Sequence, residues 1–430
     1  MEELLGSEFG EYLKYYQSEN LIKGLRVNTL KCSADKLKQL FEYELKPTPF
    51  CEQGYYLPEN AASVGNHPLH HAGAFYVQEP SATSAVTMLG VERGDRVLDL
   101  CAAPGGKSTQ IASALGGDGV LLCNEIVRNR ALILLSNIER MGVRNAVVTN
   151  SHPDVLCSRL TGFFDKILVD APCSGEGMFR KNDAQSEWSV EHVRSCAERQ
   201  LHILDSAAPA LREGGVMVYS TCTFSTEENE GVITRFLSRH PDFELIDSGV
   251  SFGRPALRYA RRIFPMDGGE GHFAAKLRRN SSCACAPVVK PNNGKTDSGL
   301  VEFYDDNFVD RPFGERLVVN KDKLYADTAA LPDLSGVNVL RKGVLLGEIK
   351  RNRIEPCHHA FSAAKPGDCR RSVSFSCDSA EIKKFLHGEE ISVQSEKGFC
   401  AVCVEGITVG FGKSSGSTIK NKYPKGLRTL

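Results

Sequence analysis

The most regular pattern in the chain begins at Asp95, where short apolar runs of strand length alternate with segments of helical spacing. The runs are Arg96–Leu100, Val120–Cys123, Ala146–Val148, Ile167–Val169, Val216–Tyr219 and Phe273–Leu277. Near-continuous apolar strands separated by helices predict a parallel sheet covered on both faces. Apolar residues at helical spacing fill the gaps over Lys107–Leu115, Arg128–Met141 and Val190–Leu211. Ahead of this stretch the chain reads as helical and then mixed, with Leu25–Leu30 as a strand and Ala34–Tyr43 as a helix. Residues 279–299 are polar and punctuated by Pro, Gly and Asn, which is a linker composition. Residues 300–430 read as short strands and turns with one brief helix near Glu381–Leu386, so a mostly β module is predicted there.

Composition changes this picture in two respects. The 430 residues contain 52 Lys plus Arg against 53 Asp plus Glu, a net charge of −1, so no polyanion partner is announced by net charge and any nucleic-acid contact must come from local patches. Arg258, Arg261 and Arg262 form one such patch. Lys413, Lys420, Lys422, Lys425 and Arg428 form another, within a terminal stretch that lacks acids. The 15 cysteines are odd in number and scattered from Cys32 to Cys403, and the first residues lack the basic start and apolar core of a signal peptide. A reduced, cytoplasmic protein is expected rather than a disulfide framework. No apolar stretch approaches the ~18 residues of a membrane span, so no membrane partner is expected. The Cys400-x-x-Cys403 pair lies in an apolar alternating strand with no second pair to complete a zinc site, so no metal is expected.

Three segments carry chemistry. Val97-Leu98-Asp99-Leu100-Cys101-Ala102-Ala103-Pro104-Gly105-Gly106-Lys107-Ser108 runs from a strand through a tight glycine turn into a helix. Backbone N–H groups and the helix dipole converge at such a turn and favour a nucleotide-like ligand. It is neither a G-x-G-x-x-G fingerprint nor a phosphate loop, since the glycine a phosphate loop needs would fall at Cys101. Glu125 closes the second run, where an acid can accept hydrogen bonds from ribose hydroxyls. The second segment, Leu168-Val169-Asp170-Ala171-Pro172-Cys173-Ser174-Gly175-Glu176-Gly177, and the third, Val218-Tyr219-Ser220-Thr221-Cys222-Thr223-Phe224-Ser225, each end a strand in a small-residue turn bearing a cysteine. Both thiols are expected to face the ligand crevice at the strand C-termini. Trp188, the only tryptophan, is expected to pack beneath the Pro172–Arg180 loop.

In order and spacing, Asp99–Ser108, Asp170–Met178 and Ser220–Ser225 resemble the Nol/Nop/Sun family of RNA cytosine-5 methyltransferases, closest to its bacterial RsmF-type branch. The similarity extends to Arg26-Val27-Asn28, to Gly269-Glu270-Gly271-His272-Phe273 and to the tail, where Gly410-Phe411-Gly412-Lys413 and Asn421–Arg428 resemble a PUA-like module. The resemblance implies an α/β fold: a Rossmann-like methyltransferase domain at residues 91–278 after an N-terminal RNA-facing α/β segment at 1–90. A linker at 279–299 and a β-rich PUA-like RNA-binding region at 300–430 follow.

The resemblance also implies the site. S-adenosyl-L-methionine would be held by Cys101, Ala102, Ala103, Pro104, Gly105, Gly106, Lys107, Glu125 and Asp170, with Arg130 orienting Glu125. Many relatives hold the adenine amine with an Asp after the third strand, whereas this chain has Thr149-Asn150-Ser151-His152, which leaves Asn150 and His152 as candidates. Cys222 would attack cytosine C6, Asp170 would stabilise the ring, and Cys173 would help release the product. The implied substrate is small-subunit ribosomal RNA, with transfer RNA as the alternative, and the implied state is a monomer. A silent RNA-binding or assembly protein of the same fold is the rival from another class.

Overall fold

The computed structural model describes residues 1–430 except 19, 62, 63, 181–185, 187, 290–296, 328, 329, 352 and 430. A small antiparallel sheet comes first, with β1 (Gly24–Val27), β2 (Lys46–Pro47), β3 (Gly54–Tyr56) and β4 (Phe75–Val77) in the order β2-β3-β1-β4. The expected strand at Leu25–Leu30 thus ends at Val27, and the expected helix at Ala34–Tyr43 spans Ala34–Leu40.

The central sheet contains β5 (Arg96–Asp99), β6 (Val120–Asn124), β7 (Ala146–Thr149), β8 (Phe164–Asp170) and β9 (Leu211–Thr221), all parallel, in the order β9-β8-β5-β6-β7. The last expected run differs in direction: β13 (His272–Arg279) lies antiparallel to β9 and carries β10 (Phe243–Leu245), while β11 (Arg254–Ala256) and β12 (Ala260–Ile263) extend that edge. One apolar core lies on each face. Leu98, Ile167, Phe164, Phe236 and Phe273 fill one, and Val97, Leu121, Val148, Leu168 and Ile111 fill the other. This two-sided burial is why the strands read as continuous apolar runs, each large side chain contributing about 1.5–3 kcal/mol.

The helix expected over Val190–Leu211 stops at Ala207, because Pro209 lacks the N–H that would continue it and Leu211 already begins β9. In the C-terminal region the helix at Ala380–His387 is joined by Ser298–Asn307 and His358–Ala363, two short helices whose few apolar positions leave no readable period. The strands there are β14 (Leu317–Asn320), β15 (Lys323–Ala326), β16 (Val339–Lys342), β17 (Val344–Lys350), β18 (Arg353–Pro356), β19 (Ser372–Phe375), β20 (Ile391–Ser392), β21 (Gly398–Val404), β22 (Ile407–Ser414) and β23 (Thr418–Asn421). Of the segment read as a linker, Arg279 still belongs to β13, residues 290–296 lie outside the described residues, and Ser298 already opens a helix. Cys400 and Cys403 are buried in β21. Among the described residues no helix is long and apolar enough to cross a membrane.

The C-terminal region is fastened to the central sheet at several points. β16 pairs antiparallel with β7 and so joins the sheet itself. The Lys31 ammonium donates to three backbone carbonyls from separate parts of the chain: Ala72 at 2.8 Å, Arg140 at 3.2 Å and Thr408 at 3.1 Å. Arg341 pairs with Glu139 at 2.6 Å, Arg144 with Asp368 at 2.7 Å, and His71 shares a 3.0 Å hydrogen bond with Tyr423. The basic terminal stretch forms part of a folded sheet: Ile419 and Tyr423 are buried, and Lys413, Lys420, Lys422 and Lys425 are turned outward.

Candidate active site

Asp99, Glu125, Asp170 and Cys222 all lie at or just beyond the C-terminal ends of the parallel strands, the edge at which open α/β sheets bind ligands. Between β5 and the helix Gly106–Leu115 the backbone turns through Gly105 at φ +112°, a conformation that favours glycine. A Cβ on Gly106 would come within 3.3 Å of Tyr76 and Gln78. Ser108 closes the turn by donating to Asp99 at 2.7 Å.

The two cysteine-bearing turns meet because β8 and β9 are adjacent and in parallel register, with Asp170 opposite Ser220. The loop after β8 then folds back over the end of β9. Gly177 N–H donates to the Cys222 carbonyl at 2.9 Å, Phe224 N–H donates to Glu176 at 3.0 Å, and the Ser174 and Thr223 hydroxyls are 2.9 Å apart. The result is a Cys173 Sγ to Cys222 Sγ separation of 3.3 Å. The hydrogen bond from Cys173 pulls the Cys222 thiol below its ordinary value, with Lys107 adding to it against burial and Asp170. The same bond, with burial, pushes Cys173 well above the usual thiol range. The two thiols are therefore shifted in opposite directions, so that when the pair loses one proton the charge is favoured on Cys222.

Asp170 receives the Lys107 ammonium at 2.8 Å and the Ser220 hydroxyl at 2.8 Å. Burial works to raise its carboxyl, but Lys107, His272 and Ser220 outweigh it and hold it below the usual range. His272 sits 4.0 Å from Asp170, and burial together with Lys107 lowers it to about 3, so its imidazole is neutral at pH 7.

Two cavities share Cys101. One, of about 620 Å³, is lined by Glu125, Ile126, Val127, Arg130, His152 and Pro172 among others. The other, of about 240 Å³, is lined by Asp99, Pro104, Gly106, Lys107 and Asp170 among others. Arg130 stands 3.4 Å from the Glu125 carboxylate and donates to the Ala103 carbonyl at 3.0 Å, a placement suited to an orienter. The Asn150 amide is committed to the carbonyls of Glu125 and Ile126, both at 2.8 Å, whereas His152 lines the larger cavity. Among the described residues, Asp99 Oδ1 is buried without a hydrogen-bond partner. An unsatisfied carboxylate oxygen and a glycine-lined turn in the same cavity fit a ligand that carries an ammonium group and a nucleoside. A larger cavity of about 780 Å³, lined by Lys31, Arg93 and Arg144 among others, includes none of the motif residues.

Several expectations need correction or addition. Trp188 is not packed beneath the loop: it is 41% exposed, and its indole N–H donates to Glu176 at 3.0 Å. Arg262 is buried against Glu230 at 2.7 Å, which leaves Arg258 as the exposed member of that patch. Lys107, expected only as a cofactor residue, points at Asp170 beside the thiols. The buried Arg180–Glu270 pair at 3.1 Å, which ties the Cys173 loop to Ile22 N–H, was not expected, because residues so far apart in sequence leave no spacing signal. Glu228, which accepts the Ser174 N–H from across the fold, is of the same kind.

With this geometry in place, the comparisons agree along the chain. The 16S rRNA methyltransferase RsmB/F model matches residues 86–278, and the N-terminal domain of 16S rRNA methyltransferase RsmF matches 1–80. The RsmF rRNA methyltransferase first C-terminal domain matches 302–363, and the methyltransferase RsmF PUA domain matches 372–429. Ribosomal RNA small subunit methyltransferase F of Vibrio vulnificus (strain YJ016) is 35% identical, over 97% of this chain and 93% of that protein. The protein of the same name from Erwinia tasmaniensis is 33% identical over 99% and 95%. A solved methyltransferase homolog from Pyrococcus horikoshii is 31% identical with a TM-score of 0.58, covering 64% of this chain and 91% of its own. The expected Rossmann-like α/β fold and the expected methyl donor, S-adenosylmethionine, stand with these matches. The chain belongs to the ribosomal RNA small subunit methyltransferase F family.

Proposed function

We propose that this protein methylates carbon 5 of a cytosine in small-subunit ribosomal RNA through a covalent bond between Cys222 and C6. The observation that carries the reading is the polarised Cys173–Cys222 pair beside the Lys107–Asp170 ion pair. A methyltransferase acting on an exocyclic amine has no need of two thiols there.

Bound S-adenosylmethionine supplies an electrophilic methyl group. Glu125 would hold its ribose, the Cys101–Lys107 turn would cradle it, and Asp99 would meet its ammonium. Cytosine C5 is a weak nucleophile until C6 carries a thiolate. The Cys222 thiolate adds to C6, the displaced electron pair moves to N3, and N3 takes a proton from solvent. Asp170, a carboxylate at neutral pH, accepts the hydrogen bond from the protonated ring. The C4–C5 electron pair would then form the bond to the methyl carbon as the methyl–sulfur bond breaks and its electron pair stays on sulfur. In the last step Cys173, having released its own proton to solvent once Cys222 no longer bears charge, accepts the C5 proton. The C5–H electrons form the C5–C6 double bond, Cys222 leaves as thiolate, and the N3 proton returns to solvent. A base inside a helix must be unstacked to reach this crevice, at a cost of a few kcal/mol that is least in a loop. Residues 1–90 and 300–430 would hold the RNA around the catalytic unit at 91–278.

The test is methyl transfer from labelled cofactor to small-subunit ribosomal RNA that lacks the modification, followed by nucleoside digestion. Label in 5-methylcytidine is the expected outcome. Label in another nucleoside, or none, overturns the reading.

A further inference from the structure

Glu228 lies in the turn between β9 and the helix Glu230–Arg239, and it is fully buried. Its carboxylate accepts the Ser174 N–H at 3.0 Å and the Gln200 amide at 2.7 Å. Gln200 also donates to the Pro172 carbonyl at 3.0 Å. The residues on either side of Cys173 are thus gripped, one by Glu228 and the other by Gln200. Both hydrogen-bond donors to Glu228 are neutral, so its charge is not cancelled by a contacting cation among the described residues. On the Cys222 side the Lys107 ammonium is paired with the Asp170 carboxylate, so the two charges there oppose each other, whereas the charge of Glu228 on the Cys173 side has no such counterpart among the described residues.

We propose that Glu228 is a positioning residue that sets the polarity of the thiol pair: its buried negative charge keeps the proton on Cys173 and leaves Cys222 as the attacking thiolate. This rests on the reading of Cys222 as nucleophile and Cys173 as base. The ionisable groups around the pair include Asp170, Lys107 and the neutral His272 on one side and Glu228, Glu176, Tyr219 and Cys196 on the other; burial raises the Glu228 carboxyl, and its hydrogen bonds from Ser174 and Gln200 work against that. Glu228 acts on Cys173 in the raising direction, after the larger effects of the Cys222 hydrogen bond and burial. A thiol that holds its proton more tightly is also the stronger base when it accepts the C5 proton.

The experiment is alkylation of the full-length protein by iodoacetamide across a pH series without RNA, with modification of the Cys173 and Cys222 peptides quantified by mass spectrometry. In the wild type Cys222 should react first and at lower pH. In Glu228→Gln the Cys173 midpoint should fall by about one pH unit, raising its rate at neutral pH about tenfold, while Glu228→Asp, which keeps the charge, should stay near the wild-type profile. Unchanged midpoints in a folded Glu228→Gln protein overturn the proposal, and so does a Glu228→Asp profile shifted as far as that of Glu228→Gln. A wild-type Cys173 that ionises before Cys222 overturns it whatever the variants do. Failure of the wild type to methylate RNA would instead overturn the reading of the site and leave these ratios unmoved.

Discussion

The sulfur atoms of Cys173 and Cys222 are 3.3 Å apart, within hydrogen-bond distance for sulfur and well beyond the ~2.05 Å of a disulfide. Each comes from a different strand end, and the loop that carries Cys173 is tied to the turn that carries Cys222 through Gly177, Ser174 and Glu176. In the proposed reaction this contact, with the Lys107–Asp170 ion pair on one flank and Glu228 on the other, gives the two thiols different tasks.

Replacing Cys222 with Ala removes the attacking atom but no lining residue of the smaller cofactor cavity. Methyl transfer to RNA should fall by at least about a hundredfold, while cofactor affinity, measured by calorimetry, should be unchanged. Turnover that survives in Cys222→Ala would contradict the nucleophile assignment.

Burial, aided by Asp170 and opposed by the Ser108 hydrogen bond, pushes Asp99 up to about 7. A folded value above the unfolded one means that its contribution to stability is present at acid pH and lost as pH rises through about 7. A cationic ligand favours the carboxylate, so cofactor binding near pH 7 should release a proton and should tighten between pH 6 and 8. Calorimetry in buffers of different ionisation enthalpy measures both, and Asp99→Asn should remove the proton release. A pH-independent affinity in the wild type would contradict this.

Lys31 satisfies carbonyls of Ala72, Arg140 and Thr408 at one point. Lys31→Met leaves these acceptors without their donor and should cost about 2–4 kcal/mol, read as a lower unfolding midpoint and faster proteolysis between the N- and C-terminal regions. A loss within about 0.5 kcal/mol, typical of a surface site, would contradict the clamp.

Deleting residues 413–430 would remove Ile419 and Tyr423 from a packed core, so the basic surface is better tested by charge. Changing Lys413, Lys420, Lys422 and Lys425 together to Gln should weaken RNA binding. It should also flatten the salt dependence by about 0.7 in slope for each phosphate that is no longer neutralised, with cofactor affinity unchanged. An unaltered slope would show these lysines to be solvated charge only.

The central strands and the motif turns were legible in the sequence because two-sided burial leaves continuous apolar runs and because turns that approach a ligand need glycine and small residues. The direction of β13 and the arrival of β16 beside β7 were not, since strand pairing is a tertiary choice that leaves no local period. Cys173 and Cys222 were legible as cysteines outside apolar runs. The charged groups around them were not: Lys107 read as part of a nucleotide turn, and no motif or spacing singled out Glu228, which the fold buries against Ser174.

The central claim is that Cys222 attacks and Cys173 releases, and the most direct test is a denaturing gel of Cys173→Ala mixed with substrate RNA and S-adenosylmethionine. The predicted result is a protein–RNA band that survives denaturant, because addition and methyl transfer proceed while elimination stalls, and that vanishes when Cys222→Ala is added. Free RNA throughout, or a band that persists without Cys222, would contradict it.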